Sequence, residues 1–280
     1  MGKRAIVALA ITISGFIRSV PAEEWNLGVA LMNSTFKIEG PKSMGTCFLV
    51  GRPSAEKGKV DSILVTAAHV LDNMEGETAT VHMRSRQPDG SFKKLLHPMK
   101  IRSGNIPLWR RHNDKSVDVA AIRFLCPKEG YVEIVSADLL ARDFDLKNVN
   151  ICPGDDLLSL GYPMGVSANE AGFPILRSGK VASYPILPTS VTKTMMYDFN
   201  VYPGNSGGPV FNIRESPRIA GGLKLGGRVH LIVGLVSQEA KVIEERMKGK
   251  DSTLIERTPL QLATVVHATF IRETVDLLSR

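Results

Sequence analysis

The sequence is poor in cysteine and has no long apolar run beyond its first segment. It contains 3 cysteines in 280 residues, so at most one disulfide can form and one thiol is left over. No apolar stretch after residue 22 approaches the roughly 20 residues that span a bilayer, which argues against stable membrane insertion. Internal repeats and low-complexity tracts are also missing. With 43% hydrophobic residues the chain can bury a sizeable core, so disorder is not expected.

The patterns that bind metals or nucleic acids are missing as well. The scattered histidines are His82, His97, His112, His230 and His267. Because they lack metal-ligand spacing, we predict no metal site and no other cofactor. The formal net charge of +7 includes Lys3, Arg4 and Arg18, so without the first 22 residues it is 7 − 3 = +4, a mild excess, and the basic pairs at 93–94 and 110–111 have no aromatic residues among them. We interpret these pairs as solvated loops rather than as a nucleic-acid surface.

The first 22 residues have the features of an export signal. Lys3 and Arg4 are basic, residues 5–17 are apolar, and Val20-Pro21-Ala22 offers small residues for cleavage. We predict cleavage after Ala22 and a periplasmic or extracellular location. An uncleaved membrane anchor is the alternative, but the apolar run is shorter than the roughly 20 residues that this requires.

Export would place the cysteines in an oxidising compartment. Cys47 lies in an apolar run and is most simply a small buried hydrophobic residue. Cys126 and Cys152 both border a charged connection at 127–150, which makes them the preferred disulfide pair. The sequence by itself leaves the pairing open.

Short apolar and β-branched runs recur between turn residues. They lie at 47–50, 62–66, 80–83, 119–124, 157–160, 180–183, 209–211 and 231–236. This spacing predicts an all-β barrel or sandwich. After His267, apolar residues at i, i+4 and i+7 (Ile271, Val275 and Leu278) predict a closing amphipathic helix. The charged segment 238–250 is compatible with an exposed helix or a loop.

The strongest local signal is the segment 203–210, Pro-Gly-Asn-Ser-Gly-Gly-Pro-Val. Glycines around Ser206 allow a tight turn whose main-chain N–H groups point to where a substrate carbonyl oxygen would lie. We therefore expect the amides of Gly204 and Ser206 to form an oxyanion hole. A Gly-x-Ser-x-Gly pattern also occurs in ordinary turns, so it needs partner residues to indicate catalysis.

Two further segments supply those partners. His69 follows the apolar run 62–65 and two alanines, which leave room for its ring to turn. Asp118 begins the apolar run that ends near residue 124, and a carboxylate buried there requires a hydrogen-bond partner. We predict a triad in which Asp118 orients His69 and His69 takes the proton of Ser206.

These segments, in the order His, Asp, Ser, resemble the trypsin/chymotrypsin superfamily and, within it, the bacterial high-temperature-requirement (Deg-type) proteases without a PDZ domain. Residues 45–50, 153–163 and 177–181 also fit this resemblance. It implies two antiparallel six-stranded β-barrels of the chymotrypsin-like fold with a C-terminal helix. The expected division is a signal peptide at 1–22, a first barrel at 23–135, and a second barrel with the closing helix at 136–280.

The resemblance also implies substrate-binding residues and a function. Asn200 lies where trypsin-type enzymes place an acid for basic residues, so a trypsin-like preference is not expected. The run 231–237 is similar to the strand whose end aligns the substrate backbone, which assigns substrate contacts to Val236 and Ser237. The implied activity is that of a serine endopeptidase acting on proteins or peptides. An oligomer is compatible with the sequence but not indicated by it.

Two other functions compete with this prediction. An α/β-hydrolase would use Ser206 with Asp251 and His267, but its serine must enter a helix, whereas residues 207–211 indicate a turn into a strand. A catalytically latent binding or chaperone module on a protease fold is the second alternative, because fold does not establish activity. The intact triad argues against it.

Overall fold

A computed structural model describes residues 26–279, apart from 55, 57, 216–217, 220–221, 224–227 and 248–252. The predicted signal peptide and its cleavage site lie outside the described residues. None of the helices described is both long and apolar enough to cross a membrane.

Strands dominate the described part of the chain. The first group comprises β1 (Thr35–Gly40), β2 (Ser43–Pro53), β3 (Val60–Thr66), β4 (Thr78–Arg86), β5 (Phe92–Lys100), β6 (Arg102–Ser103), β7 (Ile106–Pro107), β8 (Arg110–Arg111), β9 (Ala120–Arg123) and β10 (Val135–Ser136). The second group comprises β11 (Asp156–Gly161), β12 (Ile175–Val181), β13 (Thr194–Asp198), β14 (Pro209–Glu215), β15 (Arg218–Ile219), β16 (Gly222–Leu223), β17 (Arg228–Met247) and β18 (Thr253–His267).

The helices are short and lie between or after the strands. They are α1 (Leu27–Ser34), α2 (Ala68–Asp72), α3 (Asp143–Val149), α4 (Thr189–Thr192) and α5 (Ala268–Asp276), with 3-10 turns at Ala137–Leu139, Pro163–Gly165 and Leu277–Ser279. The predicted closing helix is confirmed as α5, which buries Phe270, Ile271 and Val275. The helix is amphipathic, and its apolar face packs on the sheets because burial removes that face from water.

The two groups of strands form two main sheets, and the short pairs β6-β7 and β15-β16 form two separate two-stranded sheets. The first is an eight-stranded sheet in the order β5-β4-β1-β2-β3-β9-β8, with β10 pairing parallel to β2 near the predicted boundary at residue 135. The second is a closed barrel in the order β11-β12-β13-β18-β17-β14. The all-β chymotrypsin-like class is confirmed. The expected first six-stranded barrel is instead an open sheet whose pairing runs from β5 to β8. The division of the chain into domains stays a prediction.

A buried arginine joins the two sheets. Arg84 of β4 is fully buried, and its guanidinium donates to the carbonyls of Met32, Asn33 and Thr35 at 2.9, 3.2 and 3.1 Å. The guanidinium also donates at 3.0 Å to the carbonyl of Gly172, which lies in the loop between β11 and β12. Because a buried cation needs partners on every side, this residue fixes the segment before β1 against the loop before β12.

Two expectations about local structure differ from the fold. The segment 238–250, left open as helix or loop, continues β17 to Met247 and forms a long hairpin with β18. The preferred disulfide is wrong: Cys126 and Cys152 do not bond to each other. The Cys126 Sγ atom lies 3.8 Å from Ser62 Oγ beside β3, whereas Cys152 Sγ lies 3.5 Å from Asp155 Oδ2 in the turn before β11. Both cysteines border the connection at 127–150 in the sequence, but this does not bring their thiols close together in the fold.

Candidate active site

The pairing of β3 with β9 brings His69 to Asp118. Thr66 at the end of β3 is opposite Ala120 at the start of β9, so the residues just beyond each strand end meet. His69 Nδ1 lies 2.7 Å from Asp118 Oδ2, and the His69 main-chain N–H donates to Asp118 Oδ1 at 2.9 Å. Both carboxylate oxygens therefore hold the histidine, one through its ring and one through its backbone.

A third residue completes the surroundings of this carboxylate. Ser237, on β17, donates its hydroxyl to Asp118 Oδ2 at 2.6 Å. Burial by itself raises the pKa of Asp118, but the hydrogen bond and charge of His69 and the bond from Ser237 outweigh burial and hold the pKa at about 2. Asp118 is thus an anion at neutral pH.

The serine loop has a backbone that only glycine accommodates. Gly204 has φ +97°, and a Cβ atom there would lie 2.2 Å from the Tyr162 carbonyl oxygen. Gly207 has φ +88°, and its Cβ would lie 2.1 Å from the Thr46 carbonyl oxygen. The glycines on both sides of Ser206 are therefore required by close backbone packing as well as by φ.

Strand β2 holds the serine loop against the first sheet. The Thr46 main-chain N–H donates to the Ser206 carbonyl at 2.8 Å, and the Thr46 hydroxyl donates to the Gly204 carbonyl at 2.6 Å. On the other side, the Gly207 N–H donates to the Val236 carbonyl at 2.7 Å. The loop is fixed between β2 and β17, so the candidate site lies where the two sheets meet.

The orientation of the amides in this loop bears on the expected oxyanion hole. Asn205 donates its N–H to the Tyr202 carbonyl at 3.0 Å, whereas the amides of Gly204 and Ser206 donate to no other described residue. Those two donors remain available to a ligand. Within the same part of the chain, the Ser206 hydroxyl and the His69 ring are not joined by a hydrogen bond, a contact that commonly tightens only when substrate binds.

The other predicted residues have different surroundings. Asn200 is exposed, and its carbonyl accepts a hydrogen bond from Arg177 at 2.8 Å. Val236 is fully buried, and its amide also bonds to the serine loop, donating to the Gly208 carbonyl at 2.9 Å. Val236 thus supports the loop with both main-chain groups, while Ser237 contacts Asp118.

Sequence reasoning missed two residues of this neighbourhood. Thr46 gave no signal, since its role depends on carbonyls far along the chain. Asp72, three residues after His69, lies 3.0 Å from Arg111. Burial raises its pKa, and the attraction of Arg111 opposes that rise less strongly. No group of three or more His, Cys, Asp or Glu residues in the described ranges could hold a metal ion.

Comparison with known families identifies the class of this site. Residues 45–217 match the trypsin-like peptidase domain, and because this match covers more than half of the chain, the chain belongs to that family. The protein is therefore a trypsin-like protease. A comparison with curated proteins returned no match.

The solved structures that this chain matches are distant in sequence. The inactive Ser343Ala mutant of Rv3671c from M. tuberculosis H37Rv is 17% identical with a TM-score of 0.44, covering 90% of this chain and 89% of its own. Protease Anisep from Arthrobacter nicotinovorans is 15% identical with a TM-score of 0.47, covering 89% and 97%. The thermostable serine protease AL20 from an extremophilic microorganism is 12% identical with a TM-score of 0.45, covering 89% and 97%.

Proposed function

We propose that the protein is a serine endopeptidase that hydrolyses peptide bonds through an acyl-enzyme on Ser206. The observation that carries this proposal is the double hydrogen bond of Asp118 to His69, beside a glycine-lined serine loop. A carboxylate on Nδ1 fixes the ring tautomer with Nε2 unprotonated, which is the form that accepts a proton from a serine hydroxyl.

The residues act in sequence on one peptide bond. Ser206 Oγ attacks the carbonyl carbon while its proton passes to His69 Nε2, and the amides of Gly204 and Ser206 donate to the oxyanion. The C–N bond breaks as Nε2 returns the proton to the leaving amine. His69 then removes a proton from water, which attacks the acyl carbon, and Nε2 returns that proton to Ser206 Oγ as the ester C–O bond breaks. Asp118 stabilises the imidazolium in both steps.

Substrate contacts are part of the same proposal. Ser237 marks the start of the strand edge that aligns the peptide backbone, and Val236 keeps the serine loop in register with that edge. Asn200 borders the pocket for the side chain before the scissile bond. An uncharged amide there disfavours a strict preference for lysine or arginine.

A peptide library tests the proposed activity. We expect wild-type protein to cleave internal peptide bonds and Ser206→Ala to lose at least about a thousandfold in rate, since the variant lacks the nucleophile. His69→Ala should lose a comparable factor. Ser178→Ala, at an exposed serine on β12, is the matched control and should retain full activity. A folded wild type that binds peptides without cleaving any would favour the latent binding-module alternative.

We also propose that the chain is exported and that cleavage after Ala22 produces the mature protein. The basic start and the short apolar run support this. Amino-terminal sequencing of the protein from the periplasm or medium should give Glu23 as the first residue. Recovery only with an intact amino terminus would contradict the proposal.

A further inference from the structure

Asp118 lies on a hairpin at the edge of the first sheet. Strands β8 and β9 form this hairpin, and the pairing of β9 with β3 ends at Ala120 opposite Thr66. In the described part of the chain, β8 is the last strand of this sheet and pairs with β9 alone. Residues 113–118 therefore lie beyond the last strand pairing, and other contacts must fix the place of Asp118.

A lysine of the second barrel contacts the tip of this hairpin. Lys193, between α4 and β13, donates its Nζ to Asp114 Oδ2 at 2.6 Å and to Ser116 Oγ at 2.9 Å. Asp114 Oδ1 accepts from the Ser116 N–H at 2.9 Å and from the Ser116 hydroxyl at 2.7 Å, and the Asp114 carbonyl accepts from the Val117 N–H at 3.0 Å. Lys193 thus holds a closed turn that ends one residue before Asp118.

The backbone of Lys193 is fixed in a conformation that favours glycine. Its φ is +35° at the end of α4, where a residue without a Cβ atom is the usual choice. The Lys193 N–H donates to the Thr189 carbonyl at 2.9 Å, and the Lys193 carbonyl accepts from the His267 N–H at 3.3 Å. The backbone conformation does not account for a lysine at this position, whereas the contacts of its Nζ with the hairpin do.

The contact is an ion pair that bridges the two sheets. The side chains of Lys193 and Asp114 are 38% and 40% exposed, so water screens the pair and its effect on overall stability is small. The hydrogen bond from Lys193 is the largest cause that holds the pKa of Asp114 below its usual range, so this carboxylate is an anion at neutral pH. The pair links the hairpin that carries Asp118 to the barrel that supplies its other donor, Ser237.

We propose that Lys193 is a positioning residue for Asp118. By holding the turn 114–117 against the second barrel, its ammonium group keeps the Asp118 carboxylate within reach of the His69 ring on one side and the Ser237 hydroxyl on the other. Lys193 takes no part in making or breaking bonds and acts through Asp118 alone. This inference rests on the proposed function and adds to it a residue outside the triad.

Replacing Lys193 tests this role. Lys193→Met removes the ammonium group, and we expect kcat on a cleaved peptide to fall roughly tenfold, since misplacing a catalytic group by about 1 Å can cost about a hundredfold. The loss is partial because His112 on the other arm of the hairpin still contacts Glu273 at 2.8 Å. KM should change less than about twofold, because no substrate contact is lost.

Two substitutions serve as controls for charge and for the loss of an ion pair. Lys193→Arg keeps the charge and the donors and should retain most of the activity. Lys180→Met removes a comparable exposed pair, in which Lys180 Nζ lies 2.7 Å from Asp156 Oδ1, and should leave kcat unchanged.

A second background separates positioning from general structural support. In Asp118→Asn the carboxylate that Lys193 positions is absent, so adding Lys193→Met should lower the rate of fluorophosphonate labelling by less than about twofold. With Asp118 present, the same substitution should lower that rate as much as it lowers kcat. Asp114→Asn keeps an acceptor for Ser116 and loses the ion pair, so it should reproduce the effect of Lys193→Met and replaces that variant if it does not fold.

The outcomes separate this inference from the proposed function. An unchanged kcat in Lys193→Met, or a loss of labelling that is equally large in the Asp118→Asn background, would overturn the inference and leave the proposed function standing. A wild type that neither cleaves peptides nor takes up the fluorophosphonate would remove both. A loss that requires Asp118 and is recovered in Lys193→Arg would confirm the positioning role.

Discussion

Replacing Arg84 by methionine tests whether this buried cation holds the two sheets together. The side chain is fully buried, and its guanidinium lies 4.5 Å from the Phe36 ring centroid and 4.3 Å from that of Phe173. Methionine keeps an apolar side chain between these rings and removes every donor. The carbonyls of Met32, Asn33, Thr35 and Gly172 then lose their bonds to Arg84.

The expected cost follows from the number of acceptors left unpaired. The Tyr162 hydroxyl lies 3.2 Å from the Thr35 carbonyl and 2.9 Å from that of Gly172, and its single hydrogen can serve one of them. Three of the four carbonyls therefore lose a donor that Tyr162 does not replace, and of these the Met32 carbonyl is only partly buried. At about 1 kcal/mol or more each, we expect Arg84→Met to lower the free energy of unfolding by about 3 kcal/mol.

Urea unfolding followed by circular dichroism gives this value, and two variants serve as controls. Arg84→Lys keeps the charge but has fewer donors in a different geometry, so its loss should be smaller. Arg86→Met alters an exposed arginine on the same strand and should cost less than about 0.5 kcal/mol. A loss below about 1 kcal/mol for Arg84→Met would refute the reasoning.

Three further predictions concern the serine loop, the carboxylate and a buried histidine. Gly207→Ala should reduce kcat/KM at least about a hundredfold because its Cβ would lie 2.1 Å from a backbone oxygen, whereas Gly154→Ala, with φ +87° and nothing within 4 Å, should keep peptidase activity. Equal activity of the two variants in a peptide assay would contradict this. Ser237→Ala should raise the pKa of Asp118 from about 2 and lower kcat roughly tenfold on a short peptide; an unchanged kcat would count against it. Burial lowers the pKa of His267 from 6.5 to about 4, so the unfolded chain takes up the proton first as pH falls. Wild type should therefore lose about 3 kcal/mol of stability between pH 6.5 and pH 4, and urea titrations should find a flatter profile for His267→Leu; equal profiles would rule out this source.

The segments of the candidate active site and most core strands could be predicted from sequence because their signals are local. The run at 62–66 is apolar and β-branched, and it forms the buried end of β3. The glycines around Ser206 form a conspicuous local cluster in the sequence, although the close packing that requires them is against the distant Tyr162 and Thr46 carbonyls. Such patterns depend on neighbours in the chain, so no knowledge of the fold was required to find them.

Features that depend on distant partners were missed. The segment 238–250 alternates too weakly to indicate a strand, and it is strand up to Met247 because β18 pairs with it. Thr46 resembles any other threonine in an apolar run, yet it fixes the serine loop through Ser206 and Gly204. The disulfide prediction failed for a similar reason, since Cys126 and Cys152 pack against different turns and strands.

Intact-mass analysis after treatment with a fluorophosphonate tests the central claim most directly. The reagent phosphonylates an activated serine Oγ with loss of fluoride, so it reports an assembled nucleophile without any knowledge of substrate specificity. We expect one adduct on wild type, none on Ser206→Ala and strongly slowed labelling of His69→Ala. No adduct on folded wild type, or an adduct that persists on Ser206→Ala, would contradict the assignment of Ser206 as the nucleophile.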